Sequence, residues 1–372
     1  MIDTTSLADL LMCGPRGRRL LLEYAIASDR LHVPEYREDS FNAGVFLASY
    51  HLDPGKGTSV QLIGNVGGEV REVAPAEVAA RLETVSLAEV TPELLRDCVS
   101  EPVGSARYWQ EADGSDVLAV SDELQVPLRR VAEHIAASAH ATWWGESVAE
   151  RSQWQVEWDD APPHEIMADP MALLRKVRDQ IVEEELAARR ERPSDVTANW
   201  SGNWWSRPPW ELPSTTRALF DESPAGLWFV EDSLGWEQAN TRRLGVPAGL
   251  RIFEIDTAEA WADLCARFPI EVTAQKRHDW YRATGRDGAW VVPDWAKVAE
   301  HYDAVHLQTQ TYLSAAGIAI PVDEQTATVI AGWDPDQTFW FTPNVRYIDD
   351  PVRWVVEENG ERTDWVRQEN PT

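Results

Sequence analysis

Nineteen tryptophans occur in 372 residues, and none precedes Trp109. Each indole brings a large rigid area and one N–H that wants an acceptor, so they serve cores, interfaces and flat ligands. The chain after residue 108 must therefore concentrate packing or binding surface, and the stretch before it folds on other terms. Trp228, Trp290, Trp333 and Trp340 fall in strand patterns and are expected in the core. Trp200, Trp204, Trp205 and Trp210 stand in ANWSGNWWSRPPWELPSTT, a run of turn formers with no regular frame to hide them. Exposed indoles in a surface loop are costly, so this loop is a covered crossover or faces a ligand or a partner.

The length suggests more than one hydrophobic core. The division expected is a helix-rich unit over 1–140, a Trp-rich connector over 141–225 and a strand-rich unit over 226–372. Net charge is −28, divided as −10 over 1–140 and −18 beyond, so the acidity is spread along the chain. Such a field repels phosphate backbones and anionic lipid, which disfavours nucleic acid and membrane surfaces and favours a basic partner. No apolar run reaches the roughly 18 residues of a membrane span. The opening MIDTTSLADLLMCGPRGRR puts acid before the apolar stretch and base after it, the reverse of a secretory signal, so the cytoplasm is the expected location. Cys13, Cys98 and Cys265 are too few and too scattered for a disulfide framework or a metal knuckle, and are expected as buried thiols.

Local patterns give an α+β chain. Ser6 caps a first helix interrupted at Gly14-Pro15; Thr91 with Pro92, and Asp169 with Pro170, open two more. GVFLASY and SVQLIG read as strands flanking the turn DPGKG, and SQWQVEW alternates as a strand. Beyond residue 226 the period shortens. GLWFVED, LRIFEID, AWVVP, DAVHLQTQTYL, TATVIAGW and TFWFTP read as strands, with TAEAWADLCARF and PDWAKVAEHY as short helices. A mixed, mostly antiparallel sheet with short helices follows. Asp334-Pro335 suits a type I turn joining TATVIAGW to TFWF, and Asn359-Gly360 a tight hairpin.

Phosphate-loop and dinucleotide readings of HLDPGKGT and GNVGG lack the required glycine spacing and strand–helix frame. GPRGRR reads as a turn before an anion site. KRHDWYRATGRDGAWVVP gathers Lys276, Arg277, Arg282 and Arg286 around His278, Trp280 and Tyr281. Read as a hairpin, it is either a charged solvent face or a pocket in which arginine forks meet an anion. On a strand YDAVHLQTQTYL, His306, Gln308, Gln310 and Tyr312 share one face, lining a cleft or facing water, with Asp303 orienting His306 or capping. The resulting candidates are His306 and Asp303 for catalysis, and His278, Trp280, Tyr281, Arg282, Gln308 and Tyr312 for ligand binding. No metal site is expected, since HxxxH and HExxH are absent.

Asp334-Pro335-Asp336-Gln337-Thr338 resembles the DxDxT nucleophile motif of haloacid-dehalogenase-type phosphatases, but too little chain follows to supply the rest of that machinery. The stretches WWS–P, LWFVEDSLGW, RIFEID, RHDWYRATG, PDW, YDAVHL and AGWDPDQTFWF, over roughly 195–345, resemble a protein family of high-GC bacteria that carries no assigned activity. The same region is faintly similar to ADP-ribosyltransferase-like domains, and that resemblance implies a split sheet and NAD as the cofactor. LWFVEDS lacks the Arg or His, and TFWFTP the Glu, of that catalytic set. Two functions are expected: a nucleotide- or NAD-like anion-binding enzyme, or degenerate enzyme, sited on the C-terminal sheet; and a non-catalytic acidic binder of a basic protein, of immunity or antitoxin type. Convergence of His306, Arg282 and Tyr281 on one cavity favours the first, and exposure of Trp204, Trp205 and Trp210 the second.

Overall fold

A computed structural model describes residues 6–33, 37–60, 70–159, 165–359 and 362–368. Its first part is helical: α1 (Leu7–Cys13), α2 (Pro15–His32), α3 (Phe41–Leu52), α4 (Pro75–Thr84), α5 (Pro92–Gly104), α6 (Gly114–Ala119) and α7 (Gln125–Ala136). Ser6 and Thr91 cap α1 and α5 as expected, each accepting a backbone N–H from the first turn. GVFLASY lies in α3, not a strand. Its run of apolar residues buries Phe41, Ala43, Val45 and Ala48 on a helix that Ser40 caps. Of SVQLIG only Ser59 and Val60 are described, and GNVGG lies outside the described residues. GPRGRR starts α2 where α12 crosses it. A Cβ on Gly14 would land on the Ser314 carbonyl, so glycine here permits backbone contact.

The alternating segment forms β1 (Gln153–Trp158), followed by the long α8 (Pro170–Glu191), whose cap Asp169 accepts from Ala172 N. There follow β2 (Ser214–Thr215), β3 (Gln238–Gly245), β4 (Ile252–Ile255), α9 (Ala258–Arg267), β5 (Pro269–Glu271), α10 (Thr273–Thr284), β6 (Ala289–Pro293), α11 (Trp295–His301), β7 (Ala304–Leu307), α12 (Thr309–Ala315), β8 (Ile320–Pro321), β9 (Thr326–Thr328), β10 (Thr338–Trp340), β11 (Arg346–Tyr347), β12 (Val352–Asn359) and β13 (Arg362–Arg367). The fold is α+β, with helices dominating the N-terminal region and sheets the C-terminal one.

Three small sheets share the strands. β1-β3-β12-β13 is antiparallel, with β11 also on β3; β2-β10-β7-β4 and β5-β6-β9-β8 are mixed. The hairpin around Asn359 forms as β12 against β13. TATVIAGW and TFWF do not form one: β9 pairs with β6 and β8, whereas β10 pairs with β2 and β7. Asp334-Pro335 still turns, with Gln337 N donating to Asp334 O (3.3 Å), but Asp336 has φ 62°, foreign to a type I turn. GLWFVED makes only a short 3-10 turn at Ala225–Leu227.

One cluster of buried residues runs from Ala8 in α1 to Phe341 after β10, joining the N-terminal helices to the two mixed sheets, while residues of β3 and β12 pack in two smaller clusters. Trp261, Trp295, Trp333 and Phe339 interlock in it edge to face or tilted, at 5.5–6.1 Å between centroids, the favoured geometry for ring quadrupoles. Trp290, Trp333 and Trp340 are buried as expected; Trp228 is half-buried, with the Arg96 guanidinium 3.4 Å over its ring. Cys98 and Cys265 are buried, but Cys13 is exposed at the end of α1. Among the described residues no helix is long and apolar enough to cross a membrane.

Candidate functional site

The segment KRHDWYRATG is helix α10, ended by Gly285 in the left-handed region (φ 71°), not a hairpin. A helix turns its bases inward. Lys276 Nζ donates to Asn203 O (2.8 Å) and Trp205 O (2.8 Å), Trp280 Nε1 to Trp204 O (2.8 Å), and Arg282 Nη2 to Trp200 O (2.7 Å). Asp279 accepts from Gly202 N (3.0 Å). Arg286 is spent on the carbonyls of Ala289 and Gln325. Burial pushes the Lys276 ammonium down to about 7. The base cluster and the Trp loop, two separate signals in the sequence, are therefore one construction. The helix satisfies the carbonyls of a loop that has no secondary structure of its own. His278 is buried within α10, and burial with nearby Arg277 lowers its pKa; Tyr281 is half-buried.

The other candidates separate as well. YDAVHLQTQTYL is β7 followed by α12, so His306 and Tyr312 do not share a strand face. β7 is buried on both faces. His306 lies between two carboxylates, Nδ1 at 2.6 Å from Glu254 Oε2 and Nε2 at 3.4 Å from Asp336 Oδ1. Burial alone would lower its pKa, but the bonds to Asp336 and Glu254 outweigh this and raise it to about 9. Arg217 extends the chain, Nε to Asp336 Oδ1 (2.7 Å) and Nη1 to Glu146 (3.0 Å). Asp303 does not orient His306; it holds Arg251. Gln308 is buried and accepts from Gln310. None of His306, Arg282 and Tyr281 is among the residues lining the cleft described next. Among the described residues no group of three His, Cys, Asp or Glu side chains is placed to hold a metal.

A cleft of about 440 Å³ lies elsewhere. One wall is β1. Gln153 (1% exposed), Gln155 and Glu157 are buried, bonded to Thr215, Tyr347 and Arg242, while Trp154, Val156 and Trp158 line the cleft half-buried, with Glu157 also at its wall. Val156 and Trp158 pack as well against Leu227, Ala239 and Trp354, so the apolar side of the strand is shared between a small core and the cleft. The opposite wall is the strapped loop, with Trp204, Trp205 (39% exposed) and Trp210 (51% exposed). Trp236 stacks on Trp158 at the rim, 5.0 Å between centroids and 16° between planes.

Polar groups enter from three segments. Glu231 and Asp334 are clasped to each other's chain: Glu231 N donates to Asp334 Oδ1 (2.8 Å), and Gly332 N to Glu231 Oε1. The residue after each turns through a positive φ, Asp232 directly and Asp336 beyond Pro335, a conformation aspartate tolerates better than most. Glu231 is buried, and burial together with Asp334 holds its carboxyl well above the usual range. Its Oε2 is sealed from solvent without a hydrogen bond of ordinary geometry, on the side where the Tyr312, Tyr108 and Arg16 side chains act on it. Asp334 is different. It is partly exposed, only its Oδ1 is engaged by the protein among the described residues, and burial raises it to about 6. Arg207 lines the cleft too, donates to Pro208 O (2.9 Å), and feels Asp334, Glu211 and Glu231 without forming an ion pair with any of them. Sequence reasoning singled out the loop tryptophans that line the cleft, whereas Tyr312 lies behind Glu231 and does not line it. The same reasoning missed Trp154, Trp158 and Trp236, although the alternation in SQWQVEW held the signal, and it read Asp334 only as part of a turn or a phosphatase-like motif.

Comparison with protein families, with curated proteins and with solved structures finds no match.

Proposed function

We propose that the protein binds a saccharide in the tryptophan-lined cleft. The observation that carries this reading is the gathering of indoles on one cleft: Trp154 and Trp158 of β1, half-buried, with the exposed Trp205 and Trp210 of the loop. Open indole faces are costly in water and match the apolar faces of sugar rings, while Asp334, Arg207 and Gln337 supply an acceptor and donors for hydroxyls. An extended anion such as a dinucleotide fits this cleft less well, because the bases expected to hold it are committed to loop carbonyls. Titration calorimetry with gluco-, galacto- and manno-oligosaccharides, alongside NAD and ATP, tests the proposal. A sugar that binds and is weakened about tenfold by Trp210→Ala, the order of one lost stacking contact, supports it. No sugar binding, or NAD binding that Trp210→Ala leaves untouched, overturns it.

A second reading, a basic protein segment laid into the groove, draws on Leu234, 78% exposed at the rim, and on the net charge of −28. A partner captured at low salt and released at high salt, and lost with Trp210→Ala, would favour it.

A further inference from the structure

The polar end of the cleft carries an unbalanced charge. Arg207 is one cation, and three acidic side chains act on it, Asp334, Glu211 and Glu231. The other two acids of the cleft wall are balanced, Glu157 by Arg242 and Asp232 by Arg107. Acidic groups therefore outnumber cations at this end. Asp334 is the acid with an oxygen to offer, since only its Oδ1 is engaged by the protein among the described residues and the residue is partly exposed. It sits among indoles, whose π faces also attract cations.

Resting on the saccharide reading, we infer that the cleft selects sugars bearing a free amine, hexosamine units with an unacetylated ammonium group, and that Asp334 is the residue that reads it. The ammonium replaces the charge partner that Arg207 does not supply, and an N-acetyl group at the same position offers Asp334 no charge. The net charge of the chain adds an attractive field of the same sign. At pH 7 Asp334, raised to about 6, is mostly ionised.

The experiment is calorimetry at pH 7 and low salt with three trisaccharides of one linkage: glucosamine, N-acetylglucosamine and glucose units. The glucosamine form is expected to bind about tenfold more tightly than either of the others. Asp334→Asn keeps the oxygen that accepts Glu231 N–H and should bring the three to within about twofold of one another, while Arg207→Gln should widen the amine preference. Neutral sugars that bind as well as the amine, or a preference that survives Asp334→Asn, overturn this inference while leaving the saccharide site standing. Absence of binding by all three overturns both.

Discussion

His306 offers the sharpest test of the energetics, because it is a buried cation between two carboxylates. It is 1% exposed, 2.6 Å from Glu254 and 3.4 Å from Asp336, and its pKa rises from an ordinary 6.5 to about 9. Between those values the folded chain holds a proton that the unfolded chain has released. The stabilisation is therefore complete below about pH 6.5 and is lost as pH rises through about 9. At 1.36 kcal/mol per unit it amounts to about 3 kcal/mol. Lys276 works in the opposite sense. Burial lowers it from 10.5 to about 7, so the folded chain sheds that proton first and gains stability as pH rises above 7. The two slopes overlap between pH 7 and 9, and the raw stability curve hides both. The useful quantity is the difference in unfolding free energy between the wild type and His306→Gln, measured by urea denaturation from pH 6 to 10. That difference should be largest at pH 6 and shrink by about 3 kcal/mol by pH 10. A difference that stays constant, or grows, refutes the charged-histidine argument.

Other expectations follow from single contacts. Gly17→Ala sets two effects against each other: helix propensity gains about 1 kcal/mol, but the new Cβ would fall on the Leu11 carbonyl, so the melting temperature should drop and a rise would refute the clash. Arg96→Lys keeps the charge but loses the guanidinium stacked on Trp228 and its reach to Asp221 and Asp364. It should cost about 1–2 kcal/mol in chemical denaturation; an unchanged midpoint would count against the stack. Lys276→Met removes the donor that holds Asn203 and Trp205. Acrylamide quenching of Trp emission should rise and sugar affinity fall with the far-ultraviolet dichroism unchanged, and unaltered quenching would show that the loop does not depend on the lysine.

What the sequence revealed and what it hid divide along the range of the interactions. Ser6, Thr91 and Asp169 mark helix starts through bonds spanning three residues, so the caps were legible. GVFLASY deceived because its helix meets the protein on several sides and shows no clear period. KRHDWYRATG deceived because its polar side is inward: Lys276, His278 and Asp279 are buried, and charge read as solvent exposure pointed the wrong way. The end signal, Gly285, was present and was assigned to a turn. β9 and β10 are neighbours in sequence but belong to different sheets, a choice decided by partners far away at β6 and β7. The Trp loop was recognisable as a stretch that needs a cover or an occupant, and it forms part of the cleft lining. The rest of the lining comes from β1, from Glu231 and from Asp334, which no local pattern links.

The turn Asp334-Pro335-Asp336 faces two ways. One carboxylate belongs to the cleft and the other to the chain of charges through Arg217 and His306, with a rigid proline between them. A ligand that draws on Asp334 pulls on the same turn that sets the field at His306, and linkage makes such an effect reciprocal. Occupying the cleft should move the histidine's titration, and discharging the histidine in alkali should change the affinity by the same factor. The buried imidazole, out of reach of any ligand, would then serve as a reporter of what the groove holds, readable as a shift of its ring resonances.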